Sequence, residues 1–187
     1  MEPATTLTEL DADRFSTEID RMLAVYTAAM RPGPQQLPGR RSIMARHAGN
    51  SGFRALAVTD SGSELIAFTY GFHGAPGQWW HDMVSYALAA SSGAPSAAEW
   101  LSDSFEVAEL HVLPAHQGRG IGRSLLTRLV ADRTERTAVL STHDSDSPAR
   151  HLYTDVGFTD LLRSFRFSGG DPPYAVMGAR LPLRNSR

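Results

Sequence analysis

The chain has 187 residues, 42% hydrophobic and 20% charged, a balance that fits one soluble globular domain and is too apolar for disorder. Its 18 basic and 20 acidic residues leave a net charge of -2, so neither nucleic acid nor an anionic membrane is expected as a partner. There is no cysteine, and every basic residue is arginine, which excludes disulfides, thiolate metal sites, a cysteine nucleophile, a Schiff-base lysine and a lysine-based phosphate loop. The opening "MEPATTLTELDADRF" carries acid where a signal peptide needs base and then an apolar stretch. No run approaches the roughly 18 apolar residues of a membrane span, so a cytoplasmic location is expected.

Residues 5–10 alternate weakly, like an edge strand. Over 16–30, Ile19, Leu23, Tyr26 and Met30 recur at helical spacing behind Ser16 as candidate N-cap. A proline-rich loop at 31–41 leads into a short helix near 42–48. Strands at 53–60 and 64–72, joined by "SGS", read as a β-hairpin. The Gly/Pro/Ser-rich segment that follows carries helices around 79–90 and 96–103. A buried strand at 104–114 runs into a glycine-rich loop and then a helix over about 120–133, whose Leu125, Leu126, Leu129 and Val130 make one apolar face. A strand at 137–142 precedes a helix at 147–158 with Pro148 in its first turn and Gly157 as its stop. Strands at 161–167 and 174–183 close the chain as a hairpin around "SGGDPP". The order β-α-α-β-β-insert-β-α-β-α-β-β shows no repeat and no linker, so a single domain over 1–187 is expected.

The loop "QGRGIGRS" (117–124) admits three phosphate-site readings. In a Walker loop, Gln117 would occupy the place of the first glycine and Arg123 that of the lysine, and the pattern fails. In a dinucleotide fingerprint the third glycine would fall on Arg123 or Leu125, which fails too. The remaining pattern is Gln117-x-x-Gly120-x-Gly122 at a strand-to-helix junction. Glycines let the main chain close on a bulky anion, and a helix's first turn offers unpaired N–H groups and a positive dipole end. Arg119 and Arg123 add permanent charge. With Val112 and Pro114 before it and Leu125–Leu126 after it, this segment resembles the acyl-CoA motif of the GNAT N-acetyltransferase superfamily. "PARHLYTDVGF" resembles that family's second motif, with Ala149, Leu152, Tyr153, Gly157 and Phe158 in register. The family often has asparagine three residues before that alanine. Asp146 stands there, and its carboxylate can still cap the helix.

The resemblance implies an α/β (α+β) GNAT fold: a mixed, mostly antiparallel sheet of six to seven strands, splayed between two central strands and flanked by about four helices. It implies an acyl-CoA core at about 104–158, leaving 26–47, 72–103 and 168–174 to build the acceptor pocket. The implied reaction moves the acetyl group of acetyl-CoA, as co-substrate, directly to a primary amine in a ternary complex. Leu110, His111, Val112, Gln117, Gly118, Arg119, Gly120, Ile121, Gly122, Arg123 and Tyr153 would hold the co-substrate. Tyr153 is the expected acid for the leaving thiolate, and a main-chain N–H near Val112, at an expected bulge, the oxyanion donor. Glu106 and Glu109 are the candidate bases, with Glu106 placed ahead on strand parity. His111 is expected to pack and His116 to face solvent. "WWHD" (79–82) suits stacking on a substrate amine or, equally, the burial of two aromatics at a helix start. Histidines are scattered and no metal is expected. The expected acceptor is a small-molecule amine. A protein lysine or N-terminus, and a non-catalytic acyl-CoA sensor of the same fold, remain alternatives, and a homodimer is left open.

Overall fold

The computed structural model describes residues 4–33, 37–167 and 172–183. Among them, β1 (Thr6–Leu10), β2 (Arg54–Thr59), β3 (Leu65–Gly74), β4 (Ser104–Val112), β5 (Thr137–His143), β6 (Thr159–Phe165) and β7 (Tyr174–Arg180) form one mostly antiparallel sheet. Its order is β1-β2-β3-β4-β5-β7-β6. Six α-helices accompany it rather than about four: α1 (Ala12–Met30), α2 (Leu37–His47), α3 (Trp79–Ser92), α4 (Ala94–Leu101), α5 (Ile121–Leu129) and α6 (Pro148–Asp155). The chain clusters into two compact units, Met1–Phe72 with Ala108–Leu129 and His73–Val107 with Val130–Arg187; the division falls inside β3 and β4.

In the first unit, α1 starts four residues before Ser16. Asp11 is its N-cap: a carboxylate oxygen accepts from the Arg14 N–H at 2.8 Å, putting negative charge at the positive end of the helix. Ser16, one turn into the helix, instead donates back to the Ala12 carbonyl. The earlier start seats Phe15 in the core with Ile19, Met22 and Tyr26, an i, i+4, i+7, i+11 stripe packed with Phe68, Tyr70 and Phe72 of β3. Phe15 meets the rings of Phe53 and Tyr70 edge-on, each at 4.9 Å. The β2–β3 turn is fastened by Asp60, whose Oδ1 accepts from the N–H groups of Gly62 and Glu64. Helix α5 ends at Leu129, short of the expected 133. Arg54 donates to the Leu129 carbonyl, and Asp132 beyond it has a left-handed φ of 58°.

In the second unit, β4 and β5 run parallel, with Ser104, Phe105 and Glu106 opposite Thr137, Ala138 and Val139. Both strands continue past that pairing, β4 to Val112 and β5 to His143. Strand β5 pairs along its whole length with β7, from Thr137–Arg180 to His143–Tyr174. Val84, Leu101, Val139 and Val176 form the buried centre, with Trp80, Trp100, Leu161, Leu162, Phe165 and Phe167 packed around it. Helix α6 has Ser147 as its cap, accepting from the Arg150 N–H, and Gly157 stops it at φ 103°. Asp146 therefore does not cap α6; it pairs with His151 at 2.8 Å on the surface. Of the segment 168–174 assigned to the acceptor pocket, residues 168–171 lie outside the described residues.

Candidate active site

The glycine loop begins where β4 stops. Strand β4 ends at Val112 because Pro114 opens a 3-10 turn, Pro114–His116, and the Leu113 N–H turns to the Ile66 carbonyl at 2.8 Å. Gln117 reaches back and donates to the Val112 carbonyl at 2.9 Å, and Arg119 donates to the Ala115 carbonyl at 3.0 Å. Gly118 and Gly120 have φ of 75° and 78°, a region that costs an L side chain strain. A Cβ built on either would meet no atom within 4 Å, so the main chain there borders open space. The first bond of α5 runs from the Ser124 N–H to the Gly120 carbonyl. The N–H groups at 121–123 lie ahead of that bond, in the first turn of α5, where a helix can receive an anion. Such an arrangement suits a diphosphate. His116, expected in solvent, is half-buried, and its Nδ1 has no hydrogen-bond partner among the described residues.

The same unit holds a polar cluster that sequence reading did not assemble. Glu109 of β4, its side chain only 11% exposed, accepts from Arg40 of α2 and sits 2.5 Å from Nε2 of His111. Residues two apart on a strand share a face, so Glu109 and His111 meet through the strand's own geometry. The Glu109 carbonyl accepts from Thr69, tying β4 to β3. The Arg40 guanidinium stacks 4.2 Å over the Tyr26 ring, and Tyr26 packs edge-on to His111 at 5.1 Å. His47 Nδ1 is hydrogen-bonded to the Tyr70 hydroxyl at 3.1 Å. Burial raises the Glu109 carboxyl, but His111 and Arg40 outweigh it and hold it below the ordinary carboxylate range. Burial pulls His47 down to about 4, so it is neutral near pH 7. Arg40 and His47 carry no local sequence signal. Arg40 is one of many arginines, and its partner lies 69 residues away.

Glu106 and Tyr153 belong to the second unit. Glu106 is 5% exposed, on the stretch of β4 paired with β5. Tyr153 is buried on α6, its ring 5.9 Å from that of Phe158. The "WWHD" segment reads as a helix start more than as a recognition element. Trp80 donates to Ser141 at 3.1 Å within the core, His81 is buried against the Leu101 carbonyl at 3.2 Å, and Asp82 accepts from the Gly77 N–H. Of the two tryptophans, Trp79 stays open, 64% exposed, with its ring 5.3 Å from that of Phe167. Asp144 gathers Arg163 at 2.7 Å, the Ser164 N–H at 2.7 Å and Arg150 at 3.7 Å, pinning the irregular end of β6. Among the described residues, no three His, Asp or Glu side chains cluster as metal ligands, and no helix is long and apolar enough to cross a membrane.

Comparison with known proteins accords with the loop's geometry. A family profile described as an acetyltransferase (GNAT) domain matches residues 84–160. The chain is 33% identical to a GCN5-like protein acetyltransferase of Mycobacterium tuberculosis, over 95% of this chain and 98% of that protein. A solved N-acetyltransferase of Escherichia coli, which acts on a ribosomal-protein alanine, has the same fold at TM-score 0.62 and 17% identity, covering 98% of each chain. An N-acetyltransferase of Thermoplasma acidophilum in complex with coenzyme A matches at TM-score 0.59 and 13% identity, over 95% of this chain and 99% of that one.

Proposed function

Because this chain belongs to the GNAT acetyltransferase family, we propose that it moves acetyl groups from acetyl-CoA to a primary amine, carried in the first instance by a protein. One observation carries the co-substrate half of this reading. Gly118 and Gly120 hold positive φ beside open space, and the N–H groups at 121–123 precede the first bond of α5. Gln117, Gly118, Arg119, Gly120, Ile121, Gly122 and Arg123 would hold the diphosphate, with Leu110, His111 and Val112 alongside the pantetheine arm. When bound, acetyl-CoA supplies an acetyl group activated as a thioester. The chain's own part is to hold anions on main-chain N–H groups, polarise the acyl oxygen from the Val112 N–H, and manage protons. Tyr153 is the proposed proton donor to sulfur, from its place in the second motif. Glu106 and Glu109 remain the carboxylates of β4 from which a base would be drawn.

The protein acceptor is favoured by the near-full-length likeness to a protein acetyltransferase. A small-molecule amine is the second reading, favoured by the confinement of Glu109 and His111, whose side chains are 11% and 10% exposed and more accessible to a compact molecule than to a bulky one. Within "WWHD", Trp80 and His81 spend their polar groups inside the second unit, so stacking on a substrate amine would fall to Trp79. Thiol release from acetyl-CoA separates the acceptors. Peptides with free N-termini or lysines are compared with polyamines, aminoglycosides and amino acids. Saturable release with peptides supports the first reading, release with small amines alone supports the second, and no amine-dependent release ends both.

A further inference from the structure

Acetyl transfer needs a group that relieves an incoming ammonium of its proton, and the polar cluster of the first unit offers one beyond the two glutamates. His111 lies on β4 between Leu110 and Val112, its side chain 10% exposed and its Nε2 2.5 Å from Glu109 Oε2. A carboxylate only accepts hydrogen bonds, so Nε2 carries the hydrogen and Nδ1 is left as the ring's lone-pair nitrogen. Glu109 itself is better placed to orient than to abstract: one oxygen takes Arg40 and the other takes His111. The cluster's other imidazole, His47, is pulled to about 4 and is bonded to Tyr70, which makes it a poor proton acceptor.

We infer that His111 Nδ1, oriented by Glu109, accepts the proton of the amine, directly or through a water. The inference rests on the acetyl-transfer reading above. In the step, an ammonium N–H bond breaks and an Nδ1–H bond forms. The positive charge passes from the amine to the imidazolium, and the amine's lone pair is freed for attack. Glu109 stabilises that imidazolium. Arg40 from α2 opposes it but is already paired to the same carboxylate. Tyr26 from α1 and Phe68 from β3 enclose the ring at 5.1 and 5.5 Å, and His47 and Tyr70 are the remaining titratable groups of the cluster. His111 is thus a catalytic residue and Glu109 a positioning one.

Two readouts test this. Long-range nitrogen–proton NMR on the wild-type protein reads the His111 tautomer without any substrate. The expected result is the Nε2–H tautomer of the neutral ring, its hydrogen facing Glu109. An Nδ1–H tautomer overturns the inference. With an amine identified by thiol release, His111→Gln should lower kcat/KM by about 10²-fold and abolish the acidic limb of its pH profile. Glu109→Gln, which keeps the bulk but loses the charge that orients the ring, should lower kcat more than it raises the amine's KM. If His111→Gln keeps the limb while Glu106→Gln loses it, the base is Glu106 and the inference fails while acetyl transfer stands. If the wild type releases no thiol with any amine, the underlying reading fails instead. Should either variant not fold, the wild-type tautomer decides.

Discussion

Gln117 Nε2 donates to the Val112 carbonyl at 2.9 Å, so the last residue of β4 and the first of the glycine motif are tied by one side chain. That bond fixes the direction in which the loop leaves the strand, and with it the aim of the N–H groups at 121–123. Gln117→Ala should leave the fold intact, since the side chain is exposed, and weaken CoA binding by about two- to tenfold, the worth of one hydrogen bond. Calorimetric titration with CoA checks it. Unchanged affinity would show that the loop holds its course without the glutamine.

Tyr153→Phe removes only a hydroxyl and keeps the ring that packs near Phe158. If that hydroxyl protonates the departing thiolate, kcat and kcat/KM should fall together by about 10²-fold with acetyl-CoA affinity held. Steady-state kinetics on a confirmed amine, beside direct binding, gives the answer. Equal turnover would return Tyr153 to a packing role.

Stability should fall on acidification through His47 first. Its folded pKa of about 4 lies below the ordinary 6.5, so the unfolded chain binds more protons between those values and the folded state loses ground as pH drops. From pH 7 to pH 5 this should cost the wild type about 1–2 kcal/mol more than His47→Gln. Glu109, depressed below its ordinary 4.5, acts in the same direction at lower pH. Urea unfolding of both proteins at the two pH values tests the difference; parallel losses would contradict the burial of a neutral imidazole.

Gly178 of β7 lies against a ring. A Cβ there would stand 2.8 Å from Trp100 Cε3 and 2.9 Å from Leu161 Cδ1, and Trp100 is itself held by Arg180 at 4.5 Å. Gly178→Ala should therefore destabilise the protein by about 1–3 kcal/mol through overpacking. Thermal unfolding measures this, and an unchanged Tm would mean that Trp100 yields freely.

The parts legible in the sequence were those that short-range chemistry specifies. The glycine loop, the hairpin turn, the stop at Gly157 and the order of elements all depend on residues within a few positions of one another. The start of α1 was misplaced because Asp11 and Ser16 are both competent caps, and only the burial of Phe15 decides between them. The Arg40–Glu109–His111 cluster was half legible. Strand parity alone brings Glu109 to His111, whereas Arg40 and Tyr26 arrive by packing of α1 and α2, which no local pattern encodes. Trp80 and His81 stand out by composition, while the hydrogen bonds they make inside the second unit depend on packing that composition does not encode.

The claim on which the rest depends is that the backbone of 117–123 grips the diphosphate of acetyl-CoA, and calorimetry of CoA and pantetheine on the wild type and on Gly120→Val tests it most directly. Gly120 has φ 78° and open space beside it, so a valine there strains the loop locally, and its Cβ meets no protein atom while projecting into the proposed anion site. The account predicts that the wild type binds CoA much more tightly than pantetheine, and that the folded variant loses this preference. A variant that binds CoA as tightly as the wild type would contradict it and reduce the loop to a turn.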